Sequence, residues 1–317
     1  MEALPADPTS LLEAVALFAD KQVAHDYFVA LRWPYAVACP RMDCGSADVA
    51  KIANRNAWRC RDCDRQFTAK VGTIFEDSPI GFDKWLPALW MLTACRNGVS
   101  SYEIHRALKV TQKTAWFMLH RLRLSLKTET FDTLRGEVEA DETYIGGSVK
   151  NKRGNIGHSK TGKKAQGPQA GRTVVMGMIE RGGRVRAFVI PNVRRTTVMP
   201  RIVEHIAPGS TVYTDALHSY NDVSASYAHR VINHAVAYVE GQVHTNSIEN
   251  FWSVLKRTLA GTYICARPWH LDAYLDEQIF RFNARRENDG TRFTQGLKGA
   301  DGRRLTWKAL TDKNDRE

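Results

Sequence analysis

The stretch EVEADETYIGG, residues 137–147, decides the fold class of this chain. Its acidic residues Glu137, Glu139 and Asp141 alternate with Val138 and Ala140, a period of two that is typical of a β-strand with one polar and one apolar face. The three carboxylates are therefore expected on one strand face, with Asp141 nearest the strand end. A carboxylate at a strand end repels any second carboxylate that ends a neighbouring strand, unless a cation lies between them.

Further strands and helices follow this stretch. Strands are predicted over RTVVMGMIE (172–180), RVRAFVI (184–190), STVYTD (210–215) and RVINH (230–234), and helices over TTVMPRIVEHI (196–206) and after residues 246 and 270. Strands that come first and then alternate with helices predict an α/β layer around a mixed sheet. We expect this domain to span residues 134–290.

Two later carboxylates fit the same cation site. Asp215 ends the predicted strand STVYTD, so its side chain is expected beside Asp141 at the edge of the sheet. Carboxylates that meet in this way suit two magnesium ions, which can clamp the attacking and leaving oxygens of a phosphoryl displacement. Glu249, separated from Asp215 by 33 residues, is the third candidate.

Glu249 belongs to HTNSIENFWSVLKR, residues 244–257, and this segment has two interpretations. An apolar stripe at helical spacing predicts a helix that is buried on one side: Ile248, Phe251, Trp252, Leu255 and Leu259. Asn246 can cap this helix while Glu249 closes a capping box, which is a purely structural role. Alternatively, Glu249 supplies the third metal-binding carboxylate and Lys256, two turns later, holds a DNA phosphate.

Four cysteines precede this region in the pattern C-x4-C and C-x2-C, with fifteen residues between the pairs. Cys39, Cys44, Cys60 and Cys63 predict one structural zinc ion in a ribbon at residues 36–75, with strand-like pieces AWRC and RQFTAK. The alternative is two unrelated buried pairs. Cys95 and Cys265 have no partners in the sequence and are expected in the core.

The rest of the N-terminal half is predicted to be helical, in a segment over residues 1–35 and a helix-turn-helix over residues 78–130. In the second segment, Ser100 and Glu103 predict a capping box and Thr111 can cap the following helix. That helix is expected to present four side chains to phosphates and base edges: Gln112, Lys113, Thr114 and Arg121. The alternative is an ordinary structural pair of helices.

Charge and composition favour a nucleic-acid partner. The 317 residues carry 45 Lys and Arg against 34 Asp and Glu, a formal charge of +11. The segment 149–172 holds seven of these cations and no acidic residue, so Lys160, Lys163 and Lys164 are expected to bind phosphates, although a solvated linker would have the same composition. The longest apolar run has ten residues, against about 20 for a membrane span. With its acidic N-terminus, the chain is expected to be cytoplasmic.

Together these motifs carry a family resemblance. The Asp, Asp, Glu set with its E-x6-K helix resembles the DDE transposase and integrase superfamily. CPRMDC, CRDCDRQFTAKVGTIFEDS, EADETYIGG, VYTDALHSY and HTNSIENFWSVLKR, in this order, look like the bacterial transposases of insertion-sequence family 1595, the ISXO-type group. The likeness runs from about residue 25 to the closing GRRLTWKAL, and only the C-x4-C spacing departs from the commoner C-x2-C.

The resemblance implies a ribonuclease H-like catalytic domain, preceded by a zinc ribbon and helix-turn-helix and followed by an extension at 291–317. It makes Asp141 and Asp215 ligands of two magnesium or manganese ions. Family members vary at the third position between Glu, Asn and His, so Glu249, Asn246 and His244 all stay candidates. The implied activity is binding of terminal inverted repeats, strand cleavage and strand transfer in a bacterial cell, by a homo-oligomer on paired DNA ends.

Two other functions are compatible with the same residues. The chain could be a catalytically silent DNA-binding regulator derived from a transposase, although the intact carboxylates argue against this. It could also be a ribonuclease H-like nuclease without transfer activity.

Overall fold

The computed structural model describes residues 7–128, 132–146, 171–215, 220, 223, 227–232, 245–264 and 266–312. The chain forms two compact units, the first from Met1–Lys127 and Ala284–Glu317 and the second from Thr128–Asn283. The C-terminal extension predicted at 291–317 therefore belongs to the first unit. The finer division into five segments stays a prediction.

The first unit begins with two helices, α1 (Leu11–Phe18) and α2 (Lys21–Arg32). Ser10 caps α1, and the segment predicted to be helical over residues 1–35 contains two helices. The side chain of Asp20 accepts hydrogen bonds from the backbone N–H groups of Gln22 and Val23, so a second helix starts there.

A three-stranded antiparallel ribbon follows, from β1 (Val49–Lys51), β2 (Ala57–Cys60) and β3 (Gln66–Thr68), with β2 in the centre. The pieces AWRC and RQFTAK contain β2 and β3, which confirms both predicted strands. The remaining helices of the unit are α3 (Phe82–Ala94), α4 (Ser101–Leu108), α5 (Gln112–Leu126), α9 (Asp289–Lys298) and α10 (Trp307–Thr311). Cys95 follows the last residue of α3 and is exposed, so its predicted core position is wrong; Cys265 lies outside the described residues.

The second unit contains strands β4 (Glu137–Ile145), β5 (Thr173–Glu180), β6 (Val185–Ile190), β7 (Thr211–Asp215) and β8 (Ala228–Ile232). Its helices are α6 (Arg195–His205), α7 (Asn246–Gly261) and α8 (Leu271–Asn283). The sheet order is β6-β5-β4-β7-β8; β4, β5 and β6 pair antiparallel, whereas β7 is parallel to both β4 and β8. The mixed sheet is therefore confirmed.

Helices cover both faces of this sheet. Val138 and Ala140 of β4 pack in one core cluster with Val198 and Ile202 of α6. On the other face, the predicted apolar stripe of α7 packs with α8 and with residues of β5 and β6. Because side chains alternate along a strand, Glu137, Glu139 and Asp141 point to the α7 face.

Among the residues that the structure describes, no helix combines the length and the hydropathy needed to cross a membrane.

Candidate active site and zinc ribbon

The four predicted zinc ligands converge at one end of the ribbon. The Sγ atoms of Cys39 and Cys63 are 3.8 Å apart, those of Cys44 and Cys60 are 3.6 Å apart, and all four lie within 4.8 Å of one another. Four Zn–S bonds of about 2.3 Å in a tetrahedron would place the sulfurs about 3.8 Å apart. The cluster therefore has close to the dimensions of a tetrahedral zinc site, despite the longer first spacer.

Tight turns hold the cysteines in this arrangement. The backbone N–H groups of Cys44 and Gly45 both donate to the carbonyl of Arg41, and Gly45 has a left-handed φ of 62°. In the second turn, the backbone N–H of Cys63 lowers the pKa of the Cys60 thiol to about 7. A thiolate is the form that binds metal, so this turn favours a ligand.

In the second unit, the strand-end position predicted for Asp141 needs a correction. Asp141 is the fifth of nine residues in β4, not the last. The parallel pairing of β4 with β7 runs only to Glu139 and Tyr213. Asp141 and Asp215 each follow two residues later, so they lie where these two strands separate, and Asp215 ends β7 as predicted.

The other two carboxylates of the β4 face have structural partners. Tyr213 Oη donates to Glu137 at 2.6 Å, and Arg181 Nε donates to the fully buried Glu139 at 3.0 Å. The guanidinium of Arg181 also lies 3.8 Å from the centre of the Tyr213 ring. Burial of Glu139 is tolerable because its charge is paired and hydrogen-bonded.

Glu139 also caps α7. Its Oε2 accepts from the backbone N–H groups of Ser247 at 2.9 Å and Ile248 at 3.1 Å. The N-cap residue is Thr245, so the predicted capping box of Asn246 with Glu249 is wrong. The physical reason is that a buried carboxylate from β4 already satisfies the free amides at the start of the helix.

The carboxylate of Glu249 is therefore not used to cap the backbone. It accepts a hydrogen bond from Thr245 Oγ1 at 3.0 Å, and both Glu249 and Lys256 are exposed, beside the buried stripe of α7. Asn246 is exposed at the first position of the helix. His244 lies outside the described residues.

Asp141, Asp215 and Glu249 interact as like charges. The pKa of Asp141 is raised to about 6, first by burial and further by repulsion from Asp215 and Glu249, although a hydrogen bond from Trp252 opposes the shift. Asp141 of β4 therefore feels the negative charge of one carboxylate from β7 and one from α7. In the described part of the chain, only the four cysteines form a compact group of three or more potential ligand atoms, so the three carboxylates are farther apart than the cysteine sulfurs.

Sequence reasoning missed two neighbours of Asp141. Glu142 accepts from the Oη of the buried Tyr220, and burial together with Asp141 and Asp215 raises its pKa to about 7. Alternation assigned Glu142 to the opposite strand face, so it was not considered. Trp252 was assigned to the apolar stripe, yet its Nε1 donates to Asp141 at 2.9 Å.

The raised pKa of Asp141 predicts a pH-dependent stability. An aspartate whose pKa is about 3.8 when unfolded and about 6 when folded binds its proton more tightly in the folded state. It therefore favours folding below pH 4, and this contribution is lost as the pH rises through 6. With magnesium omitted, Asp141→Asn should raise the free energy of unfolding at pH 7.5, by up to about 3 kcal/mol, and much less at pH 4. Thermal unfolding at both pH values measures this; an Asn variant less stable than wild type at pH 7.5 would contradict it.

The predicted caps of the helix-turn-helix are confirmed in the first unit. Ser100 and Glu103 form the capping box of α4, and Thr111 caps α5. The prediction that Arg121 points outward is wrong. Only 5% of this residue is exposed, and its Nε donates to the carbonyl of Leu305 at 3.0 Å. Its guanidinium also stacks on Phe117.

Gln112, Lys113 and Thr114 lie in the first turn of α5, and their sequence-predicted DNA contacts stay predictions. Lys113 is exposed, and its Nζ lies 4.5 Å from the centre of the Trp307 ring. Gln112 Nε2 donates to Ser101 Oγ, and Thr114 Oγ1 shares a hydrogen bond with Thr111 Oγ1. Lys160, Lys163 and Lys164 lie outside the described residues.

Comparison with known families matches both parts of the chain. Residues 133–283 match the ISXO2-like transposase domain, and residues 19–66 match the transposase zinc-ribbon domain. The second match covers all four cysteines.

Individual proteins are similar as well. An uncharacterized protein in transposable element ISH50 of Halobacterium salinarum is 26% identical over 256 residues, which is 78% of this chain and 85% of the relative. An uncharacterized transposase-like protein of Haemophilus influenzae is 38% identical over 101 residues, covering 32% of this chain and 81% of the relative. The crystal structure of a pre-cleavage Mos1 transpososome aligns with 66% of this chain and 76% of the matched chain, at 10% identity. The TM-score is 0.18, which is too low to indicate a shared fold.

Proposed function

Because this chain belongs to the transposases of insertion-sequence family 1595, we propose that it cleaves and joins DNA at the ends of a mobile element. The observation that carries this proposal is the position of Asp141 and Asp215, each two residues beyond the last paired residues of the neighbouring strands β4 and β7, where the helix that carries Glu249 contacts Asp141 through Trp252. A purely structural sheet gains nothing from carboxylates that repel one another. Their common position therefore supports a catalytic site.

We propose that these three carboxylates hold magnesium or manganese, since hard divalent cations prefer oxygen ligands. Two such ions would supply Lewis-acid stabilisation to the attacking and leaving oxygens of an in-line displacement. Glu249 is the preferred third ligand, because its carboxylate caps no backbone group and is exposed in the first turn of α7. Lys256, on the exposed side of the same helix, is placed in the proposal as a phosphate contact, since an ammonium group can only donate.

The sheet order supports a ribonuclease H-like fold for the second unit. Numbered along this unit, the strands lie in the order 3-2-1-4-5, with the first three antiparallel and the last two parallel to the first. This order puts the first and fourth strands side by side. Asp141 and Asp215 come from these two strands, so the topology itself supports their shared role.

We further propose that the first unit and the basic segment 149–172 bind DNA in different ways. Lys113 extends from the first turn of α5, where base edges could be contacted in a helix-turn-helix. Lys160, Lys163 and Lys164 lie in a glycine-rich sequence without acidic residues, which suits phosphates of any DNA sequence.

These two sets of lysines predict separable defects. Lys113→Ala should reduce the preference for element-end DNA over random DNA. The triple change Lys160→Ala, Lys163→Ala and Lys164→Ala should weaken both by the same factor and lower the salt slope by about one unit per lost phosphate contact. Titrations on both DNAs at several salt concentrations measure this. If the Lys113 variant and the triple variant each lost the same affinity for element-end DNA as for random DNA, the proposed difference between the two sets of lysines would be contradicted.

The proposed activity is tested by strand transfer. Wild-type protein, an oligonucleotide duplex with the element end, a supercoiled target and Mg²⁺ should give target DNA joined to the element's 3′ end. A duplex with a scrambled end is the matched control. Cleavage without joining would favour a nuclease, and binding without cleavage would favour a silent regulator.

A further inference from the structure

The contact between Trp252 and Asp141 depends on a glycine in the neighbouring strand. Gly177 of β5 lies directly opposite Asp141 of β4 in the antiparallel register. A Cβ at residue 177 would lie 2.5 Å from Cη2 and 2.6 Å from Cζ2 of Trp252, and 3.0 Å from Cδ1 of Ile248. Any side chain here would push the indole away from the sheet, so the absence of a side chain makes room for it.

The indole uses this space to reach a carboxylate. Trp252 is 4% exposed, and its Nε1 donates to Asp141 Oδ2 at 2.9 Å. An indole N–H can only donate, so this bond fixes the orientation of the Asp141 carboxylate relative to α7. Trp252 is also three residues after Glu249, one helical turn along α7, so a single helix supplies a carboxylate and orients another.

Packing alone does not account for this arrangement. The neighbours of Trp252 in the core cluster, including Phe251 and Leu255, are apolar, and a phenyl ring would also fill an apolar site. A tryptophan whose only polar atom meets an acidic side chain at hydrogen-bonding distance carries a directional interaction. Residues that hydrogen-bond to metal-binding side chains typically account for 10- to 100-fold in metal affinity.

We propose that Trp252, in the space left by Gly177, is a positioning residue that orients the carboxylate of Asp141 for metal binding. This inference rests on the proposed function, in which Asp141 is a metal ligand. It makes a prediction that a packing role does not make, because replacing the indole by a phenyl ring should weaken metal binding while the sheet stays folded.

Mn²⁺ titration of the full-length, zinc-loaded protein, without DNA, tests this separately from activity. Trp252→Phe should bind Mn²⁺ about 10- to 100-fold more weakly than wild type. Trp269→Phe is the matched control, since Trp269 is 45% exposed and lies in the same unit, and its affinity should equal wild type. Asp215→Ala lacks one proposed ligand, so the Mn²⁺ that this variant still binds measures binding outside the carboxylate site.

A second measurement needs no change at Trp252. With the eight tryptophans labelled with ¹⁵N, one indole N–H resonance should differ between wild type and Asp141→Asn. The same resonance should move when Mg²⁺ is added to wild type. If wild type binds Mn²⁺ no better than Asp215→Ala, the proposed function itself fails. If wild type binds and Trp252→Phe binds equally well, or if no indole resonance responds to both changes, only the positioning role is overturned.

Discussion

Asp141→Ala and Asp215→Ala are each expected to abolish magnesium-dependent strand cleavage while binding of element-end DNA is retained. Removing one ligand of the proposed metal site removes several kcal/mol of stabilisation from the charge that develops on the phosphate in the transition state. A loss of about 4 kcal/mol lowers the rate about 1000-fold. Cleavage of an end-containing duplex, followed on a denaturing gel, measures the loss, and an electrophoretic shift with the same duplex measures binding.

Glu137→Gln is the matched control for these two variants. Glu137 lies on the same face of the same strand as Asp141, but its carboxylate accepts from Tyr213 Oη and lies away from the site where β4 and β7 separate. This variant should cleave like wild type. Cleavage at the wild-type rate by either Asp→Ala variant would contradict the assignment, and equal defects in all three variants would indicate a general loss of the sheet.

Loss of the zinc site is expected to have the second large effect. Purified protein should hold about one zinc per chain, and structural zinc contributes on the order of 10 kcal/mol to folding in small finger peptides. The strands β1, β2 and β3 have only three or four residues each, so few backbone hydrogen bonds hold the ribbon without the metal. Cys60→Ser should therefore unfold residues 36–75 and leave the separate core of the second unit folded.

Metal analysis and limited proteolysis check this prediction. Cys95→Ser is the matched control because Cys95 is exposed and does not belong to the four-sulfur cluster, so it should keep both the zinc and the protease resistance. Wild-type protein without zinc, or Cys60→Ser with a full zinc content, would contradict the account.

Local patterns in the sequence were enough to predict most elements. The alternation of Glu137, Glu139 and Asp141 predicted β4 and its acidic face, because the period of a strand is set by its backbone. The cap residues of α4 and α5 act within three residues of themselves, so they too could be recognised from sequence alone. The four-cysteine cluster was predictable because the spacing of metal ligands is itself a strong constraint.

Interactions between distant residues were not predictable in this way. Glu139 caps a helix that begins more than 100 residues later, so the local capping box of Asn246 and Glu249 was a reasonable but wrong expectation. Arg121 was expected to point outward from its helix toward phosphates and base edges, yet it is buried against Leu305 and Phe117 of its own unit. Gly177 carried no signal in sequence, since its role depends on an indole from another element.

The central claim is that Asp141, Asp215 and Glu249 form one metal-dependent active site, and Glu249→Gln tests it most directly. Glutamine has the same size and can still accept from Thr245 Oγ1, but it lacks the negative charge that a divalent cation requires. Strand transfer in Mg²⁺ should be measured for this variant beside Asn246→Ala and His244→Ala, together with the melting temperature of each. The account predicts that Glu249→Gln melts like wild type and loses most of its strand transfer, while the other two retain it. Normal strand transfer by Glu249→Gln, together with loss of strand transfer in Asn246→Ala or His244→Ala, would contradict the assignment of Glu249 to the metal site.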